Sequence, residues 1–167
     1  MNGQPQLYNK LKELDISYTY HEHPPAPTIE IAMQYWKDLK ASHCKNLFFR
    51  NHKGNKHYLV ILEHKKNLDI HSLEKILKQG KISFASEQRM MKYLGLTPGS
   101  VSPFGLINDK QHEVIVFIDE YLNQSKTISF HPNINTASLV VGFNDFIKFL
   151  THCENSFEYI NVTGKIN

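Results

Sequence analysis

Lys45 is the strongest candidate in this sequence for a residue that acts on a substrate. It opens the apolar segment Lys45-Asn-Leu-Phe-Phe, and the two-residue alternation of a β-strand puts it on the same face as Leu47 and Phe49. A cation beside a buried face is a candidate for contact with a substrate. A lysine at a strand end whose ammonium group reaches solvent explains the same pattern, so the residue alone leaves both interpretations open.

The loop from Gly99 to Pro103 reads Gly-Ser-Val-Ser-Pro and follows a predicted helix. Glycine permits close approach of the backbone to a ligand, and proline fixes the exit of the loop. The N–H groups of Gly99, Ser100, Val101 and Ser102 could therefore donate to an oxyanion or to a carbonyl oxygen. A plain connection between two elements is the alternative interpretation.

Histidine and cysteine are common metal ligands, but their arrangement here does not indicate a metal site. His21 and His23 could share one face of a strand, and no third ligand is near them in sequence. Cys44 and Cys153 lack the spacing of a zinc site, so we expect both to be buried as small apolar side chains. We predict no metal and no cofactor.

His131, in His-Pro-Asn directly after a predicted strand, either faces a cleft or belongs to a turn.

The composition is that of an ordinary globular protein. The chain has 167 residues, of which 41% are hydrophobic and 21% charged, and its formal net charge is +3. Its apolar runs fall far short of the ~20 residues that cross a bilayer, and its first residues resemble no signal peptide, so we expect a cytoplasmic protein without membrane contact. The motifs GxSxG, GxxxxGKS/T, GxGxxG and HExxH are absent from the sequence, which argues against hydrolase triads, kinases and dinucleotide enzymes.

Helices and strands are predicted to mix without a strict β-α-β rhythm. Apolar spacing and capping residues indicate helices near 7–14, 28–36, 68–80, 86–95 and 143–150. Strands are indicated near 16–20, 44–50, 57–62, 82–84, 106–107, 114–118, 127–130, 138–141 and 157–162. The turn-rich segment between the second and third of these strands makes them a hairpin. We therefore expect one α+β (mixed α/β) domain over residues 1–167.

Taken together and in order, several segments resemble the YbaK/ProX family of prolyl-tRNA editing domains. The resemblance covers about residues 15–145. Its main segments are Tyr20-His-Glu-His-Pro-Pro with Thr28-Ile-Glu, Lys45-Asn-Leu-Phe-Phe-Arg, Leu94-Gly-Leu-Thr-Pro-Gly-Ser-Val-Ser-Pro-Phe-Gly-Leu, and Ile128-Ser-Phe-His-Pro-Asn. The resemblance implies a curved mixed β-sheet flanked by helices, in agreement with the pattern of elements.

The resemblance also implies a reaction, the hydrolysis of the ester between a wrong amino acid and tRNA(Pro). A free-standing enzyme that removes alanine is the expected member. The family's lysine falls on Lys45, its glycine-proline loop on Gly99 to Pro103, and its histidine near the aminoacyl pocket on His131. We expect Lys45 to orient the substrate and the loop N–H groups to polarise the carbonyl, while the 2′-hydroxyl of the tRNA replaces an enzymic base.

Further residues are expected to contact the substrate. Thr28, Met33, Val101 and His131 are expected in the wall of the pocket, and Asn46 and Pro103 are expected to bind substrate. Six lysines are candidate phosphate contacts or ordinary solvated side chains: Lys37, Lys40, Lys53, Lys56, Lys65 and Lys66. Prolyl-tRNA synthetase is a further partner that the resemblance allows, and no contact with DNA is expected.

Three alternatives remain open at this point. The substrate could be Cys-tRNA(Pro) or another tRNA that carries a small amino acid. The protein could also bind an aminoacyl-tRNA without hydrolysing it. A third alternative is an adaptor that uses Tyr35 and Trp36 as an exposed patch, whereas Trp36 as a core residue is the expectation we prefer.

Overall fold

The computed structural model describes residues 1–162 and 164. Its helices are α1 (Pro5–Glu13), α2 (Ile29–Trp36), α3 (Ile70–Leu77), α4 (Glu87–Leu94) and α5 (Phe143–Cys153), and short 3₁₀ helices cover Pro103–Asn108 and Glu120–Gln124. Its strands are β1 (Tyr18–Glu22), β2 (Ser42–Arg50), β3 (His57–Glu63), β4 (Ser83–Phe84), β5 (Val114–Asp119), β6 (Thr127–Phe130), β7 (Ala137–Gly142) and β8 (Phe157–Ile160). None of the helices in this described part is long and apolar enough to cross a membrane.

The strands within these described residues form one eight-stranded mixed sheet. Its order is β1-β7-β6-β2-β3-β5-β8, and β4 pairs with β2. Pairing is antiparallel between β1 and β7, β6 and β7, β2 and β3, and β2 and β4. It is parallel between β2 and β6, β3 and β5, and β5 and β8. The predicted hairpin and the predicted α+β (mixed α/β) class are both confirmed.

The parallel contact between β2 and β6 is short. Ser42 pairs with Ile128 and His43 with Ser129, after which β2 continues beside β3 and β6 stays with β7. The two strands therefore part directly after His43. The opening between them is the place where Lys45, two residues further along β2, can face side chains of β6.

Apolar side chains cover both faces of the sheet. Successive residues of β3 alternate between two clusters, with Leu59 and Ile61 in the larger one and Tyr58 and Val60 in the other. The larger cluster includes α1 and α5, and the other includes Leu73 of α3. Fully burying one large apolar side chain contributes about 1.5–3 kcal/mol, so these clusters hold the helices to the sheet.

Capping residues begin and end helices as the sequence predicts. The side chain of Thr28 accepts a hydrogen bond from the N–H of Ile31 at the start of α2, and Ser86 does the same for Arg89 at the start of α4. Gly95 ends α4 with a φ of 65°, in the left-handed region. The loop that carries the predicted glycine motif follows this end.

The strand predicted at 106–107 is wrong. These residues lie in the 3₁₀ helix Pro103–Asn108 and are inside the larger cluster or packed against it. The proline at the first position of this helix has a φ suited to a helical turn. The side chain of Ser102 caps the turn by accepting from the N–H of Phe104 at 3.1 Å. An apolar pair with one capping serine thus forms a helical turn instead of a strand.

Arg89 ties α4 to the hairpin. Its Nη1 donates to the carbonyl oxygen of Gly54 at 2.7 Å and to Nε2 of His57 at 2.9 Å. Because a guanidinium only donates, Nε2 of His57 is the acceptor and its ring is neutral. Burial, together with the nearby charges of Arg89 and Lys92, lowers the pKa of His57 to about 4. The His57 ring also stacks on Tyr93 of α4, with 3.9 Å between ring centres.

We predict that His57 makes the fold less stable in acid. The unfolded chain takes up a proton there near pH 6.5, and the folded chain only near pH 4. The contribution of neutral His57 to the free energy of unfolding is therefore fully present above pH 6.5 and is lost as the pH falls towards 4. His57→Gln should reduce the loss of unfolding free energy between about pH 7.5 and about pH 5 by about 1–2 kcal/mol, measured by urea denaturation. An equal loss in variant and wild type would contradict this.

Candidate functional site

A cavity of about 230 Å³ lies where β2 and β6 part. Strand β2 forms one side, β6 with β7 forms the opposite side, and α2 with the proline-rich connector and the glycine loop close the remainder. The lining residues are 26–29, Ala32, Trp36, 44–47, Gly99, Val101, 129–131 and Ser138. Six residues that the sequence predicts for the site are thereby brought together: Thr28, Lys45, Asn46, Gly99, Val101 and His131.

Lys45 lines the cavity with its side chain partly buried. Its Nζ donates a hydrogen bond to Oδ1 of Asn67 at 3.2 Å. Burial lowers the pKa of the ammonium group below its ordinary value, and the carboxylates of Glu63 and Glu30 oppose that shift. An ammonium group has three donors, so one partner fixes its position and leaves donors for a ligand.

Asn46, the next residue, presents an unusual acceptor. Its Oδ1 is buried and has no hydrogen-bond partner in the part of the chain that the structure describes. A buried acceptor without a partner costs about 1–3 kcal/mol. Because Asn46 lines the cavity, a ligand that carries an N–H or O–H donor could satisfy this oxygen.

The glycine loop approaches the proline-rich connector closely. Gly99 has a φ of 84°, and a Cβ placed on it would lie 3.2 Å from Cα of Pro27 and 3.3 Å from its carbonyl oxygen. Only glycine fits without strain at such a position. The close approach brings Gly99 and Val101 to the cavity.

The loop does not offer all of its N–H groups to the cavity. The N–H of Ser100 donates to the carbonyl oxygen of Thr97 at 3.1 Å, so this group, which was expected to bind a substrate oxygen, already has a partner within the loop. Ser102 and Pro103 are buried and form the start of the following 3₁₀ helix. These three residues shape the loop, and none of them lines the cavity.

His131 is an acceptor at the cavity wall. Its Nδ1 lies 2.8 Å from the carbonyl oxygen of Ala137, and a carbonyl only accepts, so Nδ1 carries the proton. Burial lowers the pKa of the ring, while the bond to Ala137 opposes that shift. The neutral ring leaves Nε2 as the acceptor for a ligand.

Helix α2 turns a different residue to the cavity than the sequence predicts. Ala32 lines the cavity, whereas Met33 is 41% exposed and does not line it. Neighbouring residues of a helix point about 100° apart, so only one of the two can face inward. Trp36 is 7% exposed, which confirms its expected burial and argues against an adaptor patch centred on this side chain.

Other lining residues carried no local signal in the sequence. Ser129 and Ser138 are small polar residues inside apolar strands, and Ala26 lies in the proline-rich connector.

Both cysteines are buried, as predicted. Among the described residues, no group of three or more His, Cys, Asp or Glu is placed to hold a metal ion.

Lys66 differs from the other five lysines considered as phosphate contacts. Its Nζ lies 3.3 Å from Oδ2 of the buried Asp119 and 4.2 Å from the ring centre of Tyr121. Its charge is therefore directed to a buried carboxylate instead of solvent. The other five are exposed: Lys37, Lys40, Lys53, Lys56 and Lys65.

Comparison with known sequences identifies related proteins over nearly the whole chain. The family model for the aminoacyl-tRNA editing domain matches residues 23–149. The prolyl-tRNA editing protein ProX of Acetoanaerobium sticklandii is 39% identical over 162 residues, which are 97% of this chain and 99% of that protein. Prolyl-tRNA synthetase associated domain-containing protein 1 of Mus musculus is 30% identical over 148 residues, covering 87% of this chain and 88% of that protein.

Solved structures share the fold. A hypothetical protein superposes with a TM-score of 0.75 at 16% identity, over 95% of this chain and 99% of that one. A candidate trans-editing enzyme for prolyl tRNA synthetase superposes with a TM-score of 0.72 at 17% identity, over 98% of this chain and 100% of that one. The match of the family model and the identity to the curated relatives agree with the resemblance found in the sequence. The chain belongs to the aminoacyl-tRNA editing domain family, a family of aminoacyl-tRNA hydrolases.

Proposed function

We propose that the protein hydrolyses the ester bond between tRNA(Pro) and a wrongly attached amino acid, with alanine as the preferred one. One observation carries the proposal: a single cavity is lined by Lys45, by Asn46 and by His131. The ammonium group of Lys45 has donors to spare, the buried Oδ1 of Asn46 has no hydrogen-bond partner among the described residues, and the imidazole of His131 is neutral. The name of the relative ProX, a prolyl-tRNA editing protein, supports tRNA(Pro) as the carrier of the amino acid.

The acceptors of the cavity suit the amino group of an aminoacyl ester. An α-ammonium group has three donors, and two of the residues that line the cavity offer acceptors, Oδ1 of Asn46 and Nε2 of His131. With the amino group held there, Lys45 is left to attract the oxygen atoms of the terminal ribose and phosphate. The ester carbonyl then lies between these two groups of contacts.

The reaction is a hydrolysis in which water attacks the carbonyl carbon. The N–H groups of Gly99 and Val101, on the loop that reaches the cavity, are the candidate donors to the oxyanion that forms. The bond from the carbonyl carbon to the ribose oxygen then breaks, that oxygen takes up a proton, and the free amino acid leaves. The ester is already activated, so the 2′-hydroxyl of the substrate can position the water without an enzymic base.

Cavity size is the proposed basis of amino-acid selection. Ala26, Ala32 and Val101 contribute to its wall, and in this proposal the wall accepts the methyl group of alanine and excludes the ring of proline. One methylene group in an apolar pocket changes the free energy by only ~1–3 kcal/mol. Cysteine and other small amino acids are therefore the expected competitors of alanine.

We predict that Lys45→Ala lowers kcat/KM for the deacylation of Ala-tRNA(Pro) about 100-fold or more, which corresponds to about 2.7 kcal/mol of transition-state stabilisation. The variant loses the ammonium group that orients the ester. Deacylation of labelled Ala-tRNA(Pro) measures the effect, and Lys12→Ala, which removes an exposed lysine from α1, is the matched control. A wild-type rate in Lys45→Ala, with an unchanged melting temperature, would contradict the role of this residue.

We also predict that a tRNA(Pro) ending in 2′-deoxyadenosine, charged with alanine on its 3′-oxygen, is hydrolysed about 100-fold more slowly or worse. The substrate then lacks the hydroxyl that positions the water. Binding of the two tRNAs, measured by filter retention, should be similar. Equal turnover of both substrates would remove substrate assistance and transfer the role of base to a side chain such as His131.

A further inference from the structure

The segment that covers the cavity has its own small apolar cluster. Ala26, Ala32 and Trp36 form a cluster separate from the two that hold the other helices to the sheet. Two of its members lie in or at the end of α2 and one in the connector before it. Shared apolar packing with the rest of the core therefore does less to position this segment than it does for α1 or α5.

Ser138 of β7 provides a polar link to this segment. Its Oγ lies 3.1 Å from Nε2 of His23 and 3.4 Å from Nε1 of Trp36. Nδ1 of His23 lies 2.8 Å from the carbonyl oxygen of Pro24. Ser138 is 1% exposed and lines the cavity, so one buried hydroxyl contacts residues on both sides of the connector and α2.

Donor and acceptor chemistry fixes the direction of these bonds. The carbonyl of Pro24 only accepts, so Nδ1 of His23 carries a proton, and in the neutral ring Nε2 accepts from the hydroxyl of Ser138. The indole of Trp36 only donates, so its N–H gives a hydrogen bond to Oγ of Ser138. In this series of hydrogen bonds each donor has an acceptor, and the hydroxyl of Ser138 is the group that both donates and accepts.

Aromatic stacking holds the same two rings in their planes. Trp36 lies on His43 of β2 with 4.5 Å between ring centres and 4° between planes. His23 lies on Tyr35 of α2 with 5.2 Å and 5°. Stacking fixes the distance between the planes of two rings, but it lets the rings slide parallel to one another at little cost in free energy. The bonds to Ser138 set where each ring lies within its plane.

We infer that Ser138 is a specificity-determining positioning residue that fixes the width of the cavity by holding Trp36 and His23 against β7. This inference rests on the proposed editing function. Loss of the hydroxyl frees the indole N–H and the imidazole acceptor, and the wall formed by α2 can then move away from the sheet. A wider cavity admits the larger proline ring, while the groups around Lys45 are unchanged.

The test compares Ser138→Ala with the wild type on Ala-tRNA(Pro) and Pro-tRNA(Pro). We expect the ratio of kcat/KM for alanine over proline to fall about 10-fold or more, through faster hydrolysis of the proline ester. Ser138→Thr keeps the hydroxyl and should keep most of the discrimination. Ser125→Ala is the matched control, because it removes a hydroxyl that bonds Ser42 outside the cavity, and it should leave the ratio unchanged.

A second measurement tests the hydrogen bond between Trp36 and Ser138 in the absence of substrate. The chain has 1 tryptophan, so its indole N–H gives a single resonance, and we expect this proton to exchange with solvent about 10-fold faster or more in Ser138→Ala. Unchanged indole exchange, or an unchanged alanine-to-proline ratio, would overturn the inference. If Ser138→Ala does not fold, Trp36→Phe removes the same hydrogen bond, keeps an aromatic ring on His43, and should lower the ratio in the same direction.

Loss of the editing function and loss of the Ser138 role give different experimental results. A wild type that hydrolyses neither Ala-tRNA(Pro) nor any other mischarged tRNA(Pro) refutes the proposed function, and the specificity role of Ser138 with it. A wild type that discriminates between alanine and proline, with Ser138→Ala discriminating equally well, refutes the role of Ser138 alone.

Discussion

Strands β2 and β6 pair through two residue pairs and then part, and the site depends on this separation. Each strand keeps its pairing on the other side, β2 with β3 and β6 with β7. The sheet therefore opens locally while the strands on both sides of the opening stay fixed. Lys45 and His131, carried by or directly following these two strands, reach the same cavity because their strands are no longer bonded to one another. A sheet with β2 and β6 paired along their length would leave no space for a ligand there.

Partial desolvation gives the groups at this opening their chemical character. Burial disfavours charge on the imidazole of His131, and Oδ1 of Asn46 is buried with no hydrogen-bond partner in the described part of the chain. Water would compete with a ligand for both acceptors if they were exposed. In the free protein these buried polar groups raise the free energy of the folded state, and the large apolar clusters on the two faces of the sheet offset that increase. A ligand with an ammonium group regains that cost on binding, which is how a preformed site gains affinity.

Local chemistry decided what could be predicted from the sequence. The N-caps at Thr28 and Ser86, the hairpin, and the placement of Lys45 on an apolar strand depend on neighbours in sequence, and they were predicted correctly. The apolar pair at 106–107 gives a wrong strand prediction because periodicity cannot tell a short strand from one turn of helix. The orientation of α2, which turns Ala32 inward and Met33 outward, depends on tertiary packing and has no local signal.

Ser138 shows the same limit more sharply. Its partners His23 and Trp36 lie more than a hundred positions away in sequence, and a serine within Ala-Ser-Leu-Val-Val reads only as a small residue in a buried strand. The family resemblance could identify Lys45, the glycine loop and His131, since these belong to its motifs. It could not identify the side chains that set the dimensions of the cavity, because dimensions follow from packing across the whole sheet.

We propose that the opening between β2 and β6 receives the aminoacyl end of the tRNA. The measurement is an NMR titration of the ¹⁵N-labelled protein with 3′-alanylamino-3′-deoxyadenosine, whose amide resists hydrolysis. We expect the largest shifts at the side-chain amide of Asn46, the backbone N–H of Val101 and the ring of His131. Shifts confined to the separate cavity that Gln4 and Cys153 line, with none at these three residues, would contradict it.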